Sequence, residues 1–284
     1  MEPNIVILAA GASSRMKESV QAAMRSGLAV HILARPKCML PVGEDDKPFL
    51  DYLLTNIHRA GYRDAVIVVG EKDEWTQQYY EDRRGAEQFP NLRISFVRQP
   101  IPPGRNKPLG TADALVRALQ AMPHWYGQRF TVCNSDNLYS HGALQLLLHD
   151  NHLNSMIAYD RHGLDFPVER LRQFSVVMID DDGYLTDIIE KPTDEELERA
   201  VAVPERVGVS MNLWRFSREA ILPFLHDVPL HPIRQEKELP TAVRLMVSQQ
   251  PKSVWAIRRS EHVPDLTSAG DIEKVKEYLR QHYA

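Results

Sequence analysis

Residues 4–16 read "NIVILAAGASSRM". The run 5–9 is apolar without polar alternation, then stops at a turn of Ala, Gly and Ser with Arg15 on its far side. A strand apolar on both faces fits a sheet covered by helices on both sides, as parallel sheets are. In such sheets ligands bind at the carboxyl ends of the strands, where the chain crosses from strand to helix. Small side chains let backbone N–H groups approach a phosphate, and the planar fork of an arginine suits a polyphosphate. Taken alone, such a segment is more often a plain turn, and the phosphate reading needs support from further motifs.

Strand-length apolar runs recur at 65–69, 94–97, 130–133, 156–159, 175–179, 184–189, 207–216 and 254–257. Helical stripes lie between them. Residues 49–60 carry Leu50, Leu53, Leu54 and Ile57 on one face, and 112–122 carry Leu115, Ala118, Leu119 and Met122. Further helices are expected over 143–149, 195–201, 217–225, 237–247 and 271–282, and Thr193 followed by Glu196 fits a capping box. This alternation predicts an α/β class with a doubly wound, mostly parallel central sheet. Some antiparallel strands are expected in the second half, where "FSVVMIDDDGYLTDIIEKP" (174–192) turns back at Asp181, Asp182 and Gly183. No repeat, low-complexity tract or linker divides the chain, so a single domain over 1–284 is expected.

The chain has 284 residues, of which 43% are hydrophobic and 25% charged, enough for a large core. A net charge of −4 offers no basic surplus for nucleic acid. The first residues carry no positive charge before a short apolar run, so neither a signal peptide nor a membrane segment is expected. Cys38 and Cys133 form no C-x-x-C pair, which speaks against a disulfide framework or zinc site and for a reducing, cytoplasmic setting.

Four downstream segments sharpen the phosphate reading. "RPKCMLPV" (35–42) holds Lys37 between a proline and an apolar stretch. "KPLGTADAL" (107–115) opens a helix at Gly110 and Thr111, where N–H groups suit a base or phosphate. "FTVCNSDNLYS" (130–140) ends a buried strand on Asp136, an anchor for Mg²⁺, which takes one or two carboxylates plus phosphates and waters. "DIIEKP" (187–192) ends another strand on Glu190 and Lys191. Blander readings apply elsewhere. Asp180, Asp181 and Asp182 read as a turn, not a metal cluster. His31, His226 and His231 lack ligand spacing and read as surface or capping residues. Cys133 reads as a small buried residue, and Lys17 and Lys107 as solvated side chains.

With these motifs in this order, the chain resembles the sugar-1-phosphate nucleotidyltransferases (nucleotide-sugar pyrophosphorylases). Their L-A-A-G-x-x-x-R loop, P-K-x-M-L-P-V segment, G-T-A helix start, G-D strand end and E-K-P clamp run in the same sequence. The similarity covers about residues 5–275. "GTADAL", "SDNLY" and "VSMN" are nearest the glucose-1-phosphate adenylyltransferase branch, without its C-terminal β-helix. The resemblance implies a Rossmann-like nucleotidyltransferase fold. It also implies Mg²⁺-dependent transfer of a nucleotidyl group from a nucleoside triphosphate to a sugar-1-phosphate.

Roles carried over by the resemblance place Leu8, Ala10 and Gly11 on the nucleotide, with Gln99, Gly110 and Thr111 beside the base. Arg15 would grip pyrophosphate and Lys37 the α-phosphate region. Asp136 and Asp265 would hold Mg²⁺. Glu190, Lys191, Ser210 and Asn212 would face the sugar phosphate, and Arg15, Lys37, Asp136 and Lys191 form the catalytic set. The chain departs from the family at Ser135 and Asn212, where glycines are usual. It departs again around Asp265, where His262 or Val263 replaces a tryptophan and Leu266 a glycine. A nucleotidyltransferase acting on a non-sugar phosphate or cofactor, and a non-catalytic paralogue, remain as alternatives. The base, the sugar and a homo-oligomeric state are left open. Arg15 and Lys37 stand 22 positions apart, about twice the family's spacing, so 17–35 reads as an inserted lid or a subunit contact.

Overall fold

The computed structural model describes residues 2–11, 16, 35–82, 88–190, 192, 193, 195 and 207–283. Arg15, Lys191, the insertion up to residue 34 and, but for Glu195, the helix expected over 195–201 lie outside the described residues.

The first half alternates strand and helix. Its elements are β1 (Asn4–Ala9), α1 (Phe49–Ala60), β2 (Asp64–Gly70), α2 (Trp75–Asp82), β3 (Arg93–Gln99), α3 (Thr111–Ala121) and β4 (Arg129–Asn134). Next come α4 (His141–His149), β5 (Ser155–Tyr159), the short α5 (Val168–Leu171), and the hairpin of β6 (Ser175–Ile179) and β7 (Leu185–Ile189). The chain closes with β8 (Val207–Ser217), α6 (Arg218–Asp227), α7 (Leu239–Gln249), β9 (Trp255–Arg259) and α8 (Asp271–His282). Among the described residues, nine strands join one sheet in the order β3-β2-β1-β4-β8-β5-β9, with β6 and β7 attached through β8.

The unbroken apolar run of β1 follows from its place in this sheet. Ile5, Ile7 and Ala9 enter the layer that includes α1, α4 and α8, while Val6, Leu8 and Ala10 enter the layer of α3, α6 and α7. Each fully buried Ile or Val contributes about 1.5–3 kcal/mol, so neither face tolerates a polar residue. Strand β3 stands at the sheet's edge and keeps Arg93 and Arg98 exposed.

Two features of the sheet create openings. Strand β1 pairs in parallel with β2 on one side and β4 on the other, so the crossovers diverge and leave a crevice at the carboxyl ends. The second opening lies along β8. One margin of β8 pairs antiparallel with β4 through residues 214–217 and with β6 through 207–210, leaving 211–213 between the two ladders. There Asn212 takes a left-handed backbone (φ 56°), which Asn tolerates better than most side chains. Tyr139 closes the gap from the side. Its hydroxyl donates to the Met211 carbonyl (2.6 Å) and accepts from the Asn134 N–H (3.3 Å).

The helices over 49–60 and 271–282 and the strand over 175–179 fall where periodicity places them. The antiparallel turn does too: Gly183 adopts φ 91° and its N–H donates to the Asp180 carbonyl (3.0 Å). The helix expected from 237 starts instead at Leu239, because the preceding residues dock on α3. The Lys237 carbonyl accepts from the Ala112 N–H (3.0 Å), and the Leu239 N–H donates to the Thr111 hydroxyl (2.9 Å). Helix α2 was not expected, since it lacks an aliphatic stripe. It is held by polar contacts, with the Tyr79 and Tyr80 hydroxyls donating to the buried Asp51 carboxylate (2.9 and 2.7 Å).

Candidate active site

The crevice beside β1 opens into a cleft of about 330 Å³. Residues 8–11 and the strand end at 134–136 line one side of it. The Ser135 N–H donates to the Leu8 carbonyl (3.1 Å), carrying the β1–β4 pairing one residue past β4. The roof is the start of α3. Gly110 adopts φ 106°, and a Cβ there would sit 2.6 Å from the Lys237 carbonyl oxygen, so only glycine fits. Buried Gln99, at the end of β3, donates its amide to the Gly110 carbonyl (2.9 Å) and the Asp113 carboxylate (2.8 Å). Of the α3 N–H groups expected to face a ligand, that of Ala112 is taken by Lys237. Pro36 turns the chain into a short 3₁₀ turn, Lys37–Met39, which brings the Lys37 ammonium into an ion pair with Asp136. Beneath it, burial pushes the Cys38 thiol up to about 12, so it stays protonated and unreactive.

A second cleft of about 510 Å³ adjoins the first. Asn134, Asp136, Glu190, Asn212 and Arg234 line both, so these residues form the seam between them. Ser210, Asp265 and Arg170 line the second alone. The loops carrying Asp136 and Asp265 are zipped together: the Leu138 N–H donates to the Pro264 carbonyl (2.9 Å) and the Leu266 N–H to the Asp136 carbonyl (2.8 Å). Asp265 is buried, accepts from the Thr267 hydroxyl (2.7 Å) and pairs with Arg170 (3.0 Å), which also holds Asp271 at the start of α8. Burial, and next the charge of Asp136, push the Asp265 carboxyl above the ordinary carboxylate range. Ser210 is buried, and its hydroxyl accepts from the Asn212 N–H (3.2 Å). The Asn212 amide oxygen is itself buried and meets no donor among the described residues.

The seam also holds charged groups that carry no sequence signature. Arg234 pairs with Glu190 (2.6 Å) and Glu238 (2.8 Å). Its loop is pinned by His231, whose Nδ1 accepts from the N–H groups of Ile233 (3.2 Å) and Arg234 (3.1 Å), a capping role as expected. Burial, then the charge of Glu190, push Glu238 up to about 7. Lys107, read above as solvated, lines the first cleft and pairs with Glu236 (2.7 Å), because the 236–239 segment packs against 109–111. Arg170, Arg234 and Glu238 were missed for a common reason: each lies in or beside a proline-bearing polar stretch, Arg170 on the four-residue α5, that looks like ordinary connection. Among the described residues, no group of three or more His, Cys, Asp or Glu is arranged to hold a metal. The acidic pair Asp136 and Asp265 is what the geometry supplies.

A family model described as "Nucleotidyl transferase" matches residues 32–262. The chain belongs to the nucleotidyl transferase family. The matched span covers Lys37, Gln99, Gly110, Asp136, Glu190, Ser210 and Asn212, with Asp265 just beyond it. Among relatives of this nucleotidyl transferase, a glucose-1-phosphate adenylyltransferase of Corynebacterium glutamicum (strain R) is 24% identical over 193 residues, 68% of this chain and 46% of its own. A D-glycero-alpha-D-manno-heptose 1-phosphate guanylyltransferase of Campylobacter jejuni is 25% identical over 132 residues, 45% of this chain and 52% of its own. The chain thus spans about half the length of these relatives. A crystal structure of UDP-glucose pyrophosphorylase complexed with UDP-glucose superposes with a TM-score of 0.70 at 17% identity, covering 99% of both chains, and shares the fold. No helix among the described residues is long and apolar enough to cross a membrane.

Proposed function

We propose that this nucleotidyl transferase moves a nucleotidyl group from a nucleoside triphosphate to a sugar-1-phosphate and releases pyrophosphate. The observation that carries this reading is the pair of clefts meeting at Asp136. One is lined by the small-residue loop 8–11 with Lys37 and Lys107, as phosphates favour, and the other by Ser210, Asn212, Glu190 and Arg170, as a sugar phosphate favours. The relatives' names, each coupling a sugar 1-phosphate with a nucleotidyl transfer, support the same pairing.

In this reading an oxygen of the sugar phosphate attacks the α-phosphorus in line, and no covalent nucleophile is needed. The protein's part is positioning and neutralisation of crowded negative charge. The main chain of residues 8–11 and the loop held by Gln99 seat the nucleotide. Lys37 lies at the seam, where it meets the α-phosphate region. Glu190, Ser210 and Asn212 address the sugar. Arg15 and Lys191 are proposed for pyrophosphate and for the acceptor phosphate.

Asp136 and Asp265 fit a divalent cation. They stand on neighbouring loops, and Asp265 is a buried carboxylate whose charge Asp136 disfavours, a conflict that a shared cation relieves. Bound there, Mg²⁺ would neutralise phosphate charge as it develops. Buried, unpaired Cys38 and Cys133 suit the cytoplasmic setting proposed for the enzyme. A pyrophosphate-release screen of nucleoside triphosphates against sugar-1-phosphates, with and without Mg²⁺, tests the whole reading. The expected result is release that needs Mg²⁺ and one matched pair. Release independent of any sugar phosphate, or none across the panel, would overturn it.

A further inference from the structure

Strand β7 and helix α7 pack on one another and carry two arginine–carboxylate pairs between them. Arg244 of α7 meets Asp187 of β7 at 2.7 Å, with side chains 57% and 35% exposed. Such a surface pair is worth little. The other pair lies in the clefts. Arg234, shortly before α7, meets Glu190, directly after β7, through one terminal nitrogen at 2.6 Å, and both of its terminal nitrogens hold Glu238 (2.9 and 2.8 Å). Glu238 is only 8% exposed, so the fork is held on its inner side by a carboxylate that has no freedom to leave.

A guanidinium fork between two carboxylates sets the plane and distance of both, which an ammonium cannot do. Removing Arg234 would leave Glu190 and Glu238 as like charges facing one another across the seam. Glu190 would then be repelled toward solvent or protonated, and either change alters what it offers a ligand. Besides Arg234, the Glu190 side chain meets the Glu238 carboxyl group, which Arg234 itself holds, so the arginine fixes Glu190 both directly and through Glu238.

We infer that Arg234 is a positioning residue for the acceptor: it braces Glu190 at the seam so that the carboxylate meets the hydroxyls of the sugar. The inference rests on the proposed function. It predicts a division of labour that a general structural role would not produce. Arg234 lines both clefts, but the carboxylate it braces is the one assigned to the sugar, so its loss should be felt mainly through one substrate.

The test is steady-state kinetics of Arg234→Ala and Arg234→Lys with each substrate varied in turn, alongside thermal melting and the control Arg244→Ala. The expected result is a rise of about tenfold or more in KM for the sugar phosphate in Arg234→Ala, with KM for the nucleotide within about twofold of the unchanged enzyme. Arg234→Lys restores charge but not the fork, and should recover only part of the loss. Arg244→Ala should match the unchanged enzyme. If Arg234→Ala does not fold, Arg234→Lys carries the test by the same split. Parallel rises in both KM values, or full recovery by lysine, would overturn the inference while leaving the functional reading intact. No turnover by the unchanged enzyme with any substrate pair would overturn the functional reading, and the inference with it.

Discussion

The two clefts share a wall yet differ in what lines the rest of each. The first joins the ends of β1 and β4 and a glycine turn locked by Gln99 to the charged side chains of Lys37, Lys107, Glu236 and Glu238. The second is walled by long side chains, with Arg170 of α5 and the shared Arg234 each held between two carboxylates. A backbone-built site is as rigid as the sheet that carries it. A site built from ion pairs depends on mutual orientation and on protonation, so it can be retuned without disturbing the fold. That difference matches the proposed chemistry, in which nucleotide and acceptor bind on either side of Asp136.

The largest effect should come from the seam itself. Asp136→Asn is near-isosteric but removes the charge that Lys37 and a cation would share, and should cut kcat/KM on the order of 10²–10³-fold, through both substrates. Initial rates at limiting Mg²⁺ check this, and full turnover would remove Asp136 from the site. Gly110→Ala should strike the first cleft alone. The left-handed backbone and the clash with the Lys237 carbonyl should cost about 1–3 kcal/mol of stability and raise KM for the nucleotide. Denaturant unfolding with paired kinetics measures both, and an unperturbed variant would break the contrast between the clefts.

Tyr139→Phe removes the hydroxyl that bridges the gap beside β8, leaving the Met211 carbonyl without its 2.6 Å donor. The expected cost is about 1–3 kcal/mol, with acceptor KM rising more than nucleotide KM because Asn212 follows directly. Equal changes in the two would show that the gap serves both clefts.

The smallest effect is on pH dependence. Glu238 binds its proton more tightly in the folded chain, at about 7 against an ordinary 4.5. The folded state therefore carries more protons between those values, and stability from this group declines as pH rises through that window and levels off above it. Glu238→Gln should flatten that slope in melting temperature measured from pH 4.5 to 8. An unchanged slope would show that Arg234 already compensates the charge.

How legible each part was in the sequence follows from how it is built. The β1 run, the helix starting near Gly110 and the strand end at Asp136 each announce themselves within a dozen residues, and the fold brings them to one crevice. Lys107 was misjudged because its partner, Glu236, lies far along the chain. Helix α2 escaped notice because tyrosine hydroxyls on Asp51, not an aliphatic stripe, hold it down.

By itself, then, the sequence determined the alternation of strand and helix, the doubly wound sheet, and one side of the first cleft. Periodicity, turn chemistry and the need to bury both faces of a strand act over short stretches and leave a readable pattern. Only the tertiary structure decided where β4 and β6 part along β8, that Tyr139 spans the opening, and that Arg234 stands between Glu190 and Glu238. Charged residues in loops carry no period. Their partners are chosen by which loops the packed sheet brings together, after burial of the apolar core has set the positions of the ends.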